Sequence, residues 1–326
     1  MPLPNDERVV ALANDLLQVM DQLFGVHPGF RAAHAKGLLL TGTFTPAPEA
    51  RSLTSAPHIA RASTPVTARF SNGTGVPQIP DSSPDANPRG LAIRFHLAER
   101  VHTDIISHGF DGFPTRDGAE FLEMLRAVAA SGPDVPSPKP IEKFLGGHPA
   151  ALSFVQAPKP FPSSLARETY FAVTAFEFTN AQGQTRFGRY RIVPELGNDF
   201  LSDEQGKALS PNYHYDEIAA RVAKEPVRFH LRVQVADASD TTDDPTVHWP
   251  EGREIVDFGT VELNQVVADN PTEQKHIIFD PIPRVESIEP SADPLLELRA
   301  AIYLLSGRRR RAAHVPAAVE VTAGTP

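Results

Sequence analysis

Near the C-terminal end, Arg299, Tyr303 and Arg310 follow one another at spacings of four and seven residues. In a helix those spacings bring all three side chains to nearly one face. A tyrosine flanked by arginines in this way is what a phenolate metal ligand needs. An adjacent guanidinium stabilises an ionised phenol oxygen, and a second one, a turn or two along, can pair with a carboxylate on a bound group. The same residues also read as a solvated basic helix end that suits its dipole. His34, in Arg31-Ala-Ala-His34-Ala-Lys36-Gly37, and Ser71, in Arg69-Phe70-Ser71, are weaker signals. A surface or satisfied core histidine and an ordinary strand-end serine account for them as well.

Other chemistries lack their usual signs. The 12 histidines form no His-Glu-x-x-His motif and no close pair at helical spacing, so zinc is not indicated. Nucleophile-elbow and phosphate-loop motifs are absent. There is no cysteine, which removes disulfides, iron–sulfur clusters, thiolate zinc and cysteine nucleophiles together. That absence, with only 3 methionines, suits a protein that handles oxidants.

The elements that must position these residues can be read from periodicity. Val9, Leu12, Leu16, Val19, Met20 and Leu23 form one stripe, which predicts a helix over 5–24 with Asn5 or Asp6 as its cap. Strand-like runs follow at 38–44, 66–71, 91–97 and 103–108. After a Pro-rich crossing segment (132–163) come runs at 170–179, 186–193, 227–235 and 255–263. Asn180-Ala181-Gln182-Gly183 supplies hairpin-turn chemistry between two of them. Between 227 and 235, Val227, Phe229, Leu231, Val233 and Val235 alternate with Arg228, His230, Arg232 and Gln234. Helical segments fall near 117–130, 214–224 and 294–311. About eight antiparallel strands is the number that closes into a barrel with a small interior cavity. The fold expected is therefore α+β: one closed eight-stranded antiparallel barrel with inserted and flanking helices. A single domain over 1–316 is expected, with the barrel at about 37–265 and a disordered tail at 317–326.

The 326 residues are 41% hydrophobic and 22% charged, ordinary for a globular chain. A net charge of −9 argues against nucleic acid or anionic lipid as partner. No run approaches the roughly 18 apolar residues of a membrane span, and Asp6 and Glu7 precede any apolar run, so a cytoplasmic protein is expected. The dense basic run Arg308–Arg311 needs a local explanation.

In order along the chain stand His-Ala-Lys-Gly (34–37), Arg-Phe-Ser (69–71), Asn-Pro-Arg-Gly-Leu-Ala-Ile-Arg-Phe (87–95), Phe-Asp-Pro (279–281), Ile288-Glu289-Pro290-Ser291 and Arg299-x-x-x-Tyr303. Together they resemble the haem catalases over nearly the whole chain, about residues 25 to 311. The chain stops soon after the tyrosine helix. With Phe24-Gly-Val-His27-Pro-Gly-Phe30-Arg31 and Asp111-Gly112-Phe113-Pro114, it is similar to the compact catalase-related peroxidases, or minimal catalases.

The resemblance implies a catalase-core fold around a haem b pocket. His34 would be the distal acid/base, Ser71 the residue that orients its ring, and Tyr303 the axial ligand, held as phenolate by Arg299. Arg31, Arg69 and Arg310 would pair with the haem propionates, and Phe121 would pack beside the porphyrin, a role compatible with that of a helix core residue. Full catalases carry an asparagine in the distal pocket. An ungapped match puts Gly109 there, and His108 beside it turns into the pocket or away from it according to strand alternation. The missing amide implies weak catalase and stronger peroxidase activity, on H2O2 or organic hydroperoxides with a small organic electron donor. A hydroperoxide lyase or dehydratase and a non-catalytic haem carrier are the alternatives. By analogy the chain is expected to be a monomer or homodimer with no NADPH site.

Overall fold

Alternation along the strands dictates the architecture, because each successive residue faces the opposite side of the sheet. The computed structural model describes residues 2–314. Its strands are β1 (Gly37–Pro46), β2 (Thr64–Ser71), β3 (Gly90–Ala98), β4 (Val101–His108), β5 (Phe161–Pro162), β6 (Tyr170–Phe171), β7 (Phe176–Thr179), β8 (Thr185–Pro194), β9 (Phe200–Leu201), β10 (Val227–Val235), β11 (Ile255–Val266) and β12 (Ile288–Pro290). The helices are α1 (Glu7–Phe24), α2 (Pro57–Ala60), α3 (Gly118–Ala129), α4 (Pro140–Gly147), α5 (Pro149–Gln156), α6 (Asp203–Lys207), α7 (Tyr213–Val222), α8 (Asn270–His276) and α9 (Leu295–Ala312).

The order β10-β11-β1-β2-β3-β4-β6-β8, with β8 pairing back onto β10, closes an eight-stranded antiparallel barrel. The α+β barrel expected from the sequence is the fold observed. The run read as one strand over 170–179 is divided. Phe171 pairs with Arg191 and Phe176 with Gly188, so four residues on one strand face two on the other. That bulge splits the strand into β6 and β7 and lets β7 take β12 on its free edge. The predicted hairpin turn is present: Asn180 Oδ1 accepts from the backbone N–H of Gln182 and Gln184, each at 3.0 Å. The crossing segment carries α4 and α5, each opened by a proline at its first position, where no N–H is needed.

The barrel interior is packed with aromatic side chains. Phe44, Phe70, Phe95, Phe178, Phe229 and Phe258 all point inward and are fully buried with Tyr170. Their rings meet edge to face, as in Phe44–Phe95 (5.1 Å, 89°) and Tyr190–Phe258 (5.5 Å, 81°). The interior cavity expected from strand number is thus replaced by aromatic packing. On β10 the alternation holds as read, except that Gln234 is buried. It accepts from Arg191 at 2.6 Å and donates to the Pro250 carbonyl at 3.1 Å.

The helices α1, α3 and α9 form a second, smaller core outside the barrel, built from Ala13, Leu16, Val19, Leu122, Leu295, Leu298 and Ala301. α1 is capped by Asp6, whose side chain accepts from Arg8 N–H at 2.9 Å. α9 runs from 295 to 312, shifted by one residue towards the C-terminus from the predicted 294–311. Among the described residues, no helix is long and apolar enough to cross a membrane. The tail expected at 317–326 lies outside the described residues.

Candidate active site

The registers of four neighbouring strands align Gly37, Ser71, Gly90 and His108 in one row across the sheet. The next row, Leu38, Phe70, Leu91 and Ser107, faces into the barrel core, so Ser71, Gly90 and His108 face outward. Over this outward row lies His34. Its Nδ1 stands 3.0 Å from Ser71 Oγ. Its ring covers Gly90: a Cβ there would fall 2.6 Å from Ser71 Oγ and 3.1 Å from His34 Nδ1. Glycine at 90 is therefore what lets the ring lie flat against the wall, flanked by Ser71 on one strand and His108 on another.

His34 has left-handed backbone, φ 56°, uncommon for a residue with a Cβ. The surroundings fix it in place. His34 N–H donates to Gly73 O (3.3 Å) and Ala35 N–H to Thr74 O (3.0 Å). Arg69 Nη2 donates to the carbonyls of His34 (3.0 Å) and Ala35 (3.2 Å). Lys36, two residues on, is drawn the other way by Asp81 at 2.7 Å and the carbonyls of Ile79 and Pro211. Burial first, then the charges of Arg69, His108, Arg31 and Arg299, pushes the His34 imidazole down to about 3, so the ring is neutral.

Arginines gather around one short segment. The Ile277 carbonyl accepts from Arg31 Nη2 (3.1 Å) and Arg310 Nη2 (2.7 Å), and Arg310 Nε donates to Lys275 O at 2.9 Å. Arg69 Nε donates to Gln274 Oε1 at 2.9 Å. The segment is pinned to the barrel by Arg94, which pairs with Asp104 at 2.7 Å and donates to the Ile278 carbonyl, while Asp280 N–H donates to Asp104 at 2.7 Å. The Phe-Asp-Pro and Ile-Arg-Phe motifs thus hold the arginine clamp. Burial, then the charges of Arg69 and Arg310, works against the charged form of Arg31. Among the described residues, none of Arg31, Arg69, Arg299 and Arg310 has a carboxylate within 4.0 Å.

On α9, Arg299 Nε donates to Tyr303 Oη at 3.3 Å, with the guanidinium 5.8 Å from the ring centroid. The basic run resolves into separate tasks. Arg310 joins the clamp, Arg309 pairs with Asp21 of α1 at 2.5 Å, Arg311 binds the His276 carbonyl, and Arg308 is exposed. Phe121 is half-buried in the helical core against Phe113 (centroids 5.2 Å apart), Leu125, Ile302 and Leu305. That places it in the helical core beside the residue preceding Tyr303.

The position facing the cleft at the end of β4 is His108, not Gly109. Gly109 turns to the other side of the strand, where a Cβ would fall 2.3 Å from Glu168 Oε1. The outward row thus presents the imidazole of His108, and not Gly109, on the side where His34 lies. Two contributors escaped the sequence reading: Gly90, visible only as part of a motif, and Gln274 with the Ile277 carbonyl, whose role depends on the fold.

An eight-stranded barrel thus brings its outer wall and its C-terminal helix together at a histidine–serine pair, a tyrosine and four arginines that, among the described residues, have no carboxylate partner. Arg31 and Arg299 stand close enough for their charge to act on His34. The donor set suits a group with carboxylates at its edge and a metal that a phenol oxygen can reach. The catalase family profile matches residues 28–319, and the chain belongs to the catalase family. It is 35% identical over 293 residues to a catalase-related peroxidase of Mycolicibacterium paratuberculosis, covering 88% of this chain and 90% of that one. A catalase-related peroxidase of Synechococcus elongatus is 31% identical, with 91% and 88% covered. Among solved structures, a fungal catalase superposes with a TM-score of 0.77 at 21% identity, over 90% of this chain and 62% of that one. This chain thus spans about three fifths of that catalase's length.

Proposed function

We propose that the protein is a haem-dependent peroxidase that reduces H2O2 or organic hydroperoxides with small organic electron donors and has weak catalase activity. The observation that carries the reading is that Arg31, Arg69, Arg299 and Arg310, which have no carboxylate partner among the described residues, gather near Tyr303 and the His34–Ser71 pair. Tyr303 would be the axial ligand of haem b, Arg299 would hold its oxygen as phenolate, and Arg31, Arg69 and Arg310 would take the propionates. The likeness to two catalase-related peroxidases at 31–35% identity supports the same reading.

The bound haem supplies the redox chemistry; the residues of the chain supply position and protons. With Nδ1 engaged by Ser71, Nε2 of His34 is the nitrogen left to take the proton from one peroxide oxygen and return it to the departing one. The ring is neutral, so it is ready to accept. Ser71 fixes the ring's orientation, as groups behind active histidines do, and the carbonyl contacts of Arg69 fix its backbone.

The test is the visible spectrum of the purified protein, followed by O2 release and dye oxidation with peroxide. A tyrosinate-haem spectrum with dye oxidation outrunning O2 release is expected. O2 release equal to that of a full-length catalase would remove the peroxidase assignment. Peroxidase turnover unchanged by His34→Ala would favour a haem carrier instead.

A further inference from the structure

His108 sits on the outward row directly beside Gly90, over which the His34 ring lies. Facing residues on adjacent strands stand about 5 Å apart at Cβ, so His108 borders the His34 ring on the side away from Ser71. Its imidazole is half-buried. Nδ1 is buried with no hydrogen-bond partner, and the backbone of Phe110 only weakly favours the charged ring. Among the described residues, no side chain binds the other ring nitrogen either. Burial, then the charge of Arg299, pushes the ring down to about 4, so it is neutral and carries one donor and one acceptor.

A buried ring nitrogen without a partner carries a desolvation cost that a leucine or phenylalanine of similar bulk avoids. His58 and His214 also have an unpartnered Nδ1, but both are fully buried away from the cleft. His58 lies among Phe44, Phe95 and Phe258, and His214 uses Nε2 on the Pro162 carbonyl at 2.8 Å. What separates His108 is that it stands on the outward row beside the His34 ring, close enough for its charge to act on that ring. The four arginines offer donors only, and Ser71 is taken up by His34. His108 is thus the neutral group on the wall that can both give and accept a hydrogen bond.

We propose that His108 is a second distal residue, which hydrogen-bonds the peroxide oxygen that His34 is not serving and does so with an imidazole where full catalases use an amide. The proposal rests on the haem-peroxidase reading above. Its ligand class is a small two-atom acid or its anion, such as a peroxide or cyanide, held between two neutral imidazoles. His34 Nε2 takes the proton and the His108 N–H donates to the far atom.

Cyanide binding to the haem-loaded protein, followed by absorption, is the test. His108→Phe keeps the bulk and removes the donor, and it is expected to weaken cyanide binding about 10- to 100-fold, the worth of one hydrogen bond to a charged acceptor. His108→Gln, which restores a donor, is expected to recover most of that loss. If His108→Phe binds haem and takes cyanide as the parent does, the proposal is overturned. If His108→Phe does not fold, 15N spectra of the imidazole-labelled parent decide. Both the His34 and the His108 ring nitrogens should shift on adding cyanide, and a His108 signal that stays put overturns the proposal. A parent protein that binds no haem would instead remove the haem reading itself.

Discussion

The inner and outer faces of the barrel's first four strands are built from alternate residues of the same segments, yet they follow opposite rules. Inside, Phe70, Leu91 and Ile105 join an apolar core, where the Ser107 hydroxyl donates to the Leu91 carbonyl at 2.6 Å. Outside, Arg69, Ser71, Gly90 and His108 leave charge and hydrogen-bonding capacity unbalanced by protein. Each step of one residue along a strand changes the task from stability to chemistry. The two faces should therefore respond differently to mutation, stability being lost on one and turnover on the other.

The sharpest break of that comparison is a pair of substitutions. Tyr303→Phe is expected to abolish haem retention and with it the visible spectrum and all turnover, while thermal unfolding of the haem-free protein stays within a few degrees. Phe229→Ala, inside, should cost about 3–5 kcal/mol while the protein that remains folded still binds haem. Denaturant unfolding with a haem titration reads both. A parent-like spectrum in Tyr303→Phe would show that another residue is the ligand.

His34→Ala should lower peroxide turnover by about 10²–10⁴-fold, the usual worth of a positioned acid/base, with little change in unfolding midpoint. Stopped-flow reaction with H2O2 measures it. A large stability loss with turnover per folded molecule preserved would assign His34 to packing.

Two glycines one strand apart test the faces with a single methyl group. Gly90→Ala pushes against Ser71 Oγ and the His34 ring, and a misplacement of that size is expected to cost on the order of 10²-fold in turnover. Gly109→Ala pushes instead against the Glu168 carboxyl on the inner side, and it should cost about 1–3 kcal/mol of stability with turnover nearly kept. Equal effects of the two on turnover would erase the distinction between the faces.

The barrel was legible because its information is local. Alternation of Val227 through Val235 and the Asn180–Gly183 turn act over a few residues, and the structure returns them within a residue or two. The arginine-flanked helix was legible for the same reason. What was not legible depends on contacts distant in sequence. The bulge at 172–175 is set by β8 and β12, not by its own residues. The filled interior depends on rings from six strands meeting. The choice between His108 and Gly109 required the register of β3 against β4, since a shift of one residue exchanges the faces. Arg31, Arg69 and Arg310 are brought together by the Ile277 carbonyl and Gln274, and nothing in a backbone carbonyl's own sequence position marks it.

The smallest effect concerns a group on the inner side that does titrate. Glu168 is buried beside Gly109, and burial pushes its carboxyl up to about 8, against the pull of Arg89. In the unfolded chain a glutamate titrates near 4.5. Between those values the folded protein holds a proton that the unfolded chain has lost, so the contribution is full below pH 4.5 and disappears as pH rises through 8. His58, inside the barrel, is pushed down to about 4 by burial and then by Arg61. It acts in the opposite sense, with stability lost as pH falls from about 6.5 towards 4. The protein should thus be most stable between the two trends. Glu168→Gln keeps the shape and removes the proton exchange, so its stability relative to the parent should rise between pH 5 and pH 8, by at most a few kcal/mol, and stay level below pH 4.5. Urea midpoints of both proteins at pH 5 and pH 8 measure this. A difference that does not grow with pH would mean that Glu168 is already ionised in the fold, its charge balanced by Arg89, and that the inner face tolerates a charge it otherwise excludes.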